Sequence, residues 1–296
     1  MTITRTHFQQ LISACLILWG LAGCGLSGSA SPAAADPSTQ ALVVATATDV
    51  QRATLLPDPT EPILTSPPAE TETVRPEAQV CSPFAGWDLA RLTESISNPF
   101  HPPALGSDDP HQGVDFSDLD PDFGYAREGL AVQAVLPGTV AGVIAGRFPY
   151  GNAVLIETSI DDMPADLQAD LNIPAEFPQP TVSSALTCPV ATEVLGGGGG
   201  AQSLYLLYAH MQASPSAQVG DPVTCGQALG TVGGSGNALA PHLHVEARAG
   251  AAGQQFSGMA HYDVAASEVE MANYCAWRIS GGFFLFDPME ILARLP

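Results

Sequence analysis

Two short constellations in the chain combine residue types that can bind a metal ion and activate water. The first is His111-Gln112-Gly113-Val114-Asp115, the second His242-Leu243-His244. In a β-strand, residues i and i+2 project from one face, about 6.6 Å apart along the chain. Both imidazoles of the second pair can therefore address one point, one binding an ion while the other reaches the water beside it. In an extended segment the backbones of His111 and Asp115 would lie about 13 Å apart. Convergence on one ion then needs a bend, and Gly113 between them can provide it. Two histidines and an aspartate with an open fourth position suit zinc used catalytically, not structurally. Zinc held in this way lowers the pKa of water to about 7, so that hydroxide is available for attack on a carbonyl. The plainer alternative is a pair of histidines on an exposed strand with no ligand.

The flanking residues separate the two. His111-x-Gly113-x-Asp115, Tyr208-Ala209-His210 and Pro241-His242-Leu243-His244 follow one another in the order of the M23 peptidase signature. The chain thus resembles the LytM/lysostaphin-like zinc endopeptidases. Gly151-Asn152, Gly220-x-x-Val223-x-x-Gly226-Gln227 and Gly233-Gly234-Ser235-Gly236 are similar to that family's glycine framework. The resemblance spans about residues 95–295, apart from two insertions. It implies an all-β fold, an antiparallel sandwich or barrel-like scaffold (the family's duplicated hybrid motif) with a groove. It also implies that His111, Asp115 and His244 ligate one zinc ion per domain, with His210 and His242 as a catalytic pair outside the ligand set. The implied substrate is the peptide cross-link of bacterial peptidoglycan. The alternative is a catalytically silent module of the same family that binds the wall or activates another wall hydrolase. A lipid-anchored solute-binding protein would give no reason for three ordered histidine motifs.

The elements that must position these residues read as strands. Ala131 to Leu136, Pro137-Gly138 and Thr139 to Ile144 predict a hairpin. Ala153 to Ile156 reads as a further strand, and Leu204 to Ala209, apolar throughout, suits a strand buried on both faces. Segments around Val223 and Leu229 add strand-turn units, and the spacing of all these runs favours an all-β domain. Two stretches, about 161–202 and 249–282, read as insertions. The first, with its glycine run Gly196 to Gly200, is expected to border or cover the groove; the second carries a short helix around Ala265 to Tyr274. Glu246 shares the face of His242 and His244 by alternation, which makes it a candidate partner of the metal ligands, although a surface ion pair with Arg248 is its expected role. His101 and His261 are expected to be surface histidines.

The N-terminus bears on compartment. Arg5 is the only charged side chain before Asp36, and it precedes an apolar run, Leu11 to Ala22, too short for the roughly 20 residues of a membrane span but suited to the core of a secretion signal. Leu21-Ala22-Gly23-Cys24 resembles the bacterial lipobox, which predicts a signal peptide over 1–23, lipidation of Cys24 and export to the outer side of a membrane. Residues 24–80 are rich in Pro, Ala, Ser and Thr, with no aromatic side chain; such a segment cannot bury enough surface to offset its ordering entropy and reads as a tether. Residues 81–296 form the expected peptidase domain. Its cysteines, Cys81, Cys188, Cys225 and Cys275, predict two disulfides of open connectivity. The formal net charge is −21, with nine arginines and no lysine, which excludes a nucleic-acid partner because phosphate contacts need cations.

Overall fold

The computed structural model describes residues 79–189 and 200–295. The expected signal peptide, Cys24 and all but the last residues of the tether lie outside the described residues, as does most of the glycine run at 196–200. Along the chain run α1 (Leu89–Glu94), β1 (Ile96–Asn98), β2 (Val114–Phe116), β3 (Ala131–Gln133), β4 (Gly138–Arg147), β5 (Gly151–Ser159), a 3-10 turn (Ile160–Asp162) and α2 (Ala165–Leu171). They are followed by β6 (Gln202–Met211), β7 (Pro222–Val223), β8 (Ala228–Thr231), β9 (Leu243–Ala251), α3 (Glu268–Arg278), β10 (Phe284–Phe286) and α4 (Met289–Leu292).

One eight-stranded sheet runs β1-β2-β9-β6-β5-β4-β7, with β10 also paired to β9. Every ladder in it is antiparallel. The antiparallel all-β expectation holds, but the sheet ends freely at β1 and β7 and no closed barrel forms. The predicted hairpin is also absent. β3 pairs with β8 in a separate two-stranded ladder, while β4 pairs with β5 and β7. Ala134, Val135 and Leu136 are buried in the core between the ladders, so Pro137-Gly138 marks a crossing from one ladder to the other.

The sheet's two faces explain the apolar run in β6. Leu204, Leu206 and Tyr208 enter one hydrophobic cluster together with Val154, Ile156, Val245 and Ala247. Tyr205, Leu207 and Ala209 enter a second, with Phe256, Tyr274, Trp277 and Phe283. Alternation in a strand sends neighbours to opposite faces, and here both faces are covered. The second cover comes from the second insertion.

That insertion is built around α3. Ser267 caps its N-terminus in a reciprocal capping box with Glu270, which places the start a few residues later than the helix expected at Ala265 to Tyr274. Glu270 also pairs with Arg147 at 2.6 Å, and Cys275 is bonded to Cys188 of the first insertion. The other disulfide joins Cys81 to Cys225, so the expected pair of bridges is present. In the first insertion, Met163, Leu167 and Leu171 enter the first cluster, and Asp166 and Asp170 pair with Arg294 beyond α4. The described residues of this insertion make no hydrogen bond to His111, Asp115, His210, His242 or His244, so its part in covering a groove is not seen among them. No helix of the described residues is long and apolar enough to cross a membrane.

Candidate metal centre

Strand register assembles the centre. Asp115 on β2 stands opposite His244 on β9, and His244 stands opposite Ala209 on β6. His111 is brought back by paired backbone hydrogen bonds with His101, which leaves His101 on the surface as expected. The chain bends at Gly113 as predicted, and glycine there meets a packing need as well. A Cβ there would lie 2.4 Å from the Val245 carbonyl oxygen and 2.7 Å from Cε1 of His244. Glycine at this position makes room for a neighbouring imidazole.

His210 reaches the centre through a bulge. On β6, Ala209 and His210 together oppose Ala153 of β5, between the Val154–Tyr208 and Asn152–Met211 pairs. His210 adopts φ 62°, a left-handed conformation that costs a non-glycine residue on the order of 1–3 kcal/mol. Regular alternation would send His210 to the face of Tyr208. The bulge turns it to the face of His244, and its ring lies 4.6 Å from that of His242 and 5.7 Å from that of His244.

Each imidazole is fixed by one nitrogen and presents the other. Nδ1–H of His111 donates to the Pro99 carbonyl at 3.0 Å, that of His210 to Ser235 at 2.8 Å, and that of His242 to Ala240 at 2.8 Å. A carbonyl can only accept, so these bonds set the tautomers and leave Nε2 free in all three rings. His244 is held in the opposite sense: Nε2–H donates to Glu246 at 3.2 Å and Nδ1 faces Asp115. His111 Nε2, Asp115 Oδ1 and His244 Nδ1 converge, with separations of 3.1, 3.2 and 2.7 Å. Ligand atoms about 2.0–2.1 Å from a tetrahedral ion stand about 3.3 Å from one another. The donor types and separations, with the outward hydrogen bonds of the two imidazoles, therefore fit a zinc ion. His242 Nε2 lies just outside this set, 3.5 Å from Asp115 Oδ1.

Glu246 is not on the surface. Its carboxylate is 0% exposed and its oxygens accept hydrogen bonds from His244, Tyr150, Trp277, Arg248 and Arg278. The expected Arg248 pair exists at 2.9 Å, but at the bottom of a buried cluster, because the second insertion roofs this face of the sheet. Alternation from His244 was the one sequence signal for Glu246; Tyr150, Trp277 and Arg278 carried none.

The electrostatics follow from this packing. Burial works against the charge of Asp115, but the imidazoles of His111, His244 and His242 packed against it hold its carboxyl far below the usual range. Burial likewise opposes protonation of His244, yet Asp115 and Glu246 together raise it to about 9. His210 is lowered to about 3 by burial and by the neighbouring His244 and His242. Despite burial, Glu246 stays ionised through Arg278 and Arg248. His261, expected on the surface, is 3% exposed. Its ring stacks on Tyr274 and Nε2–H donates to the Thr187 carbonyl, again because α3 and the first insertion close over it.

A histidine–aspartate–histidine donor set with two further imidazoles beside it, on an antiparallel sheet, defines a candidate hydrolytic metal centre. The family model of Peptidase family M23 matches residues 197–256, the segment that carries His210, His242 and His244. Among solved structures, the chain is similar to the catalytic domain of the prophage-encoded M23 protein EnpA from Enterococcus faecalis, in a variant form (24% identity, 54% of this chain and 82% of that one, TM-score 0.30). It is also similar to the catalytic domain of lysostaphin, an antimicrobial peptidase from Staphylococcus simulans (19%, 54% and 86%, TM-score 0.30), and to a zinc-containing peptidase from Vibrio cholerae (21%, 51% and 32%, TM-score 0.27). No curated protein matches the chain.

Proposed function

We propose that this chain is a zinc metallo-endopeptidase that hydrolyses peptide cross-links of bacterial peptidoglycan. The reading is carried by one observation: His111 Nε2, Asp115 Oδ1 and His244 Nδ1 meet at a single point, with His210 and His242 directly beside it. His111, Asp115 and His244 would hold the ion. Zinc bound there supplies a Lewis acid for the scissile carbonyl and lowers the pKa of water to about 7.

The chain's own groups do the rest. His210 and His242 each have Nδ1–H tied to a backbone carbonyl and Nε2 turned toward the site, so both can exchange protons with a reacting group without reorienting. Between them they take the proton of the attacking water and steady the developing oxyanion. The bulge at His210 and the close packing of His242 against it keep the two rings together before substrate arrives. Lipidation at Cys24 would place the domain at the outer face of a membrane, on a tether whose typical reach is roughly 40 Å, within range of wall peptides.

Five single alanine variants test this. His111→Ala, Asp115→Ala and His244→Ala should lose stoichiometric zinc, because a three-ligand site that loses one ligand binds far more weakly. His210→Ala and His242→Ala should keep zinc and lose about 10²–10⁴ in the rate of peptidoglycan cleavage. Retention of zinc by His244→Ala together with its loss from His242→Ala would reverse the assignment within the pair. A parent chain that binds zinc but leaves purified peptidoglycan intact would favour the silent module.

A further inference from the structure

Beneath the metal centre one guanidinium touches both segments that carry the candidate ligands. Arg278, the last residue of α3, donates from Nη1 to Glu246 Oε1 at 2.9 Å, the same oxygen that accepts from His244 Nε2 at 3.2 Å. It also donates from Nε to Asp108 Oδ1 at 2.6 Å and from Nη2 to the Asp108 backbone carbonyl at 3.2 Å. Asp108 begins the loop that leads to His111, and Gln112 closes on it by donating to the Asp108 carbonyl at 3.0 Å. Arg248 completes the ring, bonded to both Glu246 and Gln112. Trp277 Nε1–H fixes the second oxygen of Glu246 at 2.7 Å, so neither carboxylate oxygen is free to turn.

We propose that Arg278, with Trp277, is a positioning residue of the metal centre: it clamps the loop bearing His111 to the strand bearing His244 and, through Glu246, fixes the direction in which His244 presents Nδ1. This rests on the zinc reading above. A planar fork suits the task, because a guanidinium can donate along several fixed directions at once, while an ammonium acts as a single point charge. The helix that carries it is itself fixed, by its capping box, by Arg147 on Glu270 and by the Cys188–Cys275 bridge. The second insertion is on this account a support of the site from below.

A purely structural ion cluster would give stability alone, so the test separates affinity from stability. Arg278→Lys, Trp277→Phe and, as a control, Leu171→Ala in α2 are compared as full chains, stripped of metal and then titrated with zinc against a chelator and with cobalt by its visible spectrum. Thermal unfolding of the metal-free proteins is measured alongside. Arg278→Lys should bind zinc about 10–100-fold more weakly at a temperature where it is fully folded, with a changed cobalt spectrum. Trp277→Phe should show a smaller loss in the same direction, and Leu171→Ala should unfold earlier yet bind as the parent does. Parent-like affinity and spectrum in folded Arg278→Lys overturn the proposal; if that variant does not fold, the same result in Trp277→Phe does so. A parent chain that holds no zinc removes the zinc reading and this inference together, whereas a parent that holds it and variants that match it remove this inference alone.

Discussion

Gly113→Ala should damage the metal centre by crowding, without replacing a ligand. The added Cβ would stand 2.4 Å from the Val245 carbonyl oxygen, 2.7 Å from His244 Cε1 and 2.9 Å from His244 Nε2. Ordinary contact begins near 3.5 Å, so something must move by about 1 Å. Two groups can yield. If the Val245 backbone retreats, it carries the adjacent His244 with it. If the ring retreats, Nδ1 leaves Asp115 or Nε2 leaves Glu246. Either displacement is several times the roughly 0.2 Å within which metal–ligand distances are held. Zinc affinity should fall at least about 10–100-fold, as when a partner that orients a ligand is lost, and the metal-free fold should lose about 1–3 kcal/mol from overpacking. Gly138→Ala is the control. Its Cβ would meet the Glu157 carbonyl oxygen at 2.0 Å, on the β4–β5 ladder, and should destabilise the chain without weakening zinc binding. Chelator competition gives the affinity and urea unfolding with chelator present gives the stability. Parent-like zinc affinity in Gly113→Ala would refute the steric argument, as would an equal loss of affinity in Gly138→Ala.

Further outcomes follow from other parts of the chain. Cys24→Ala should abolish retention in washed membranes while leaving the domain folded; equal retention of variant and parent would remove the lipid anchor. Alkylation before and after reduction should find no free thiol among Cys81, Cys188, Cys225 and Cys275 in the native protein, and loss of either bridge should cost about 2–5 kcal/mol by chemical unfolding. The hydrogen bond to Arg147 lowers Glu270 from 4.5 to about 2. A carboxyl depressed in the folded state contributes stability that is present above its unfolded pKa and lost as the pH falls toward its folded one. Glu270→Gln should accordingly be less stable than the parent at pH 7, and the difference should shrink between pH 4.5 and 2; a constant difference across that range would count against the ion pair.

How much of the site was legible depended on whether its residues signalled through local spacing. His242 and His244 announce themselves by strand alternation, and the donor set is completed by register against Asp115 on β2, 129 residues earlier in the chain. His210 was found by its place in an ordered motif, since alternation in β6 taken alone sends it to the wrong face; the bulge at Ala209-His210 has no signal in composition. Glu246 showed the right face but not its depth, because depth is set by α3, more than twenty residues further on, folding back over β9. Arg278 and Trp277 look like any helix C-terminus. The failed hairpin at Pro137-Gly138 has the same origin: a turn can be read locally, but the choice of ladder on either side of it is made by burial of Val135 and Leu136 in a shared core.

The two bridges overlap along the chain, Cys81 to Cys225 and Cys188 to Cys275. The first ring encloses His111 and Asp115, the second His242 and His244, and His210 lies within both. Any one peptide bond between Cys81 and Cys275 is therefore spanned by at least one bridge. A single proteolytic nick at any point in that stretch, including residues 190–199, yields two pieces that remain one covalent body. All five side chains stay on it until the disulfides are reduced.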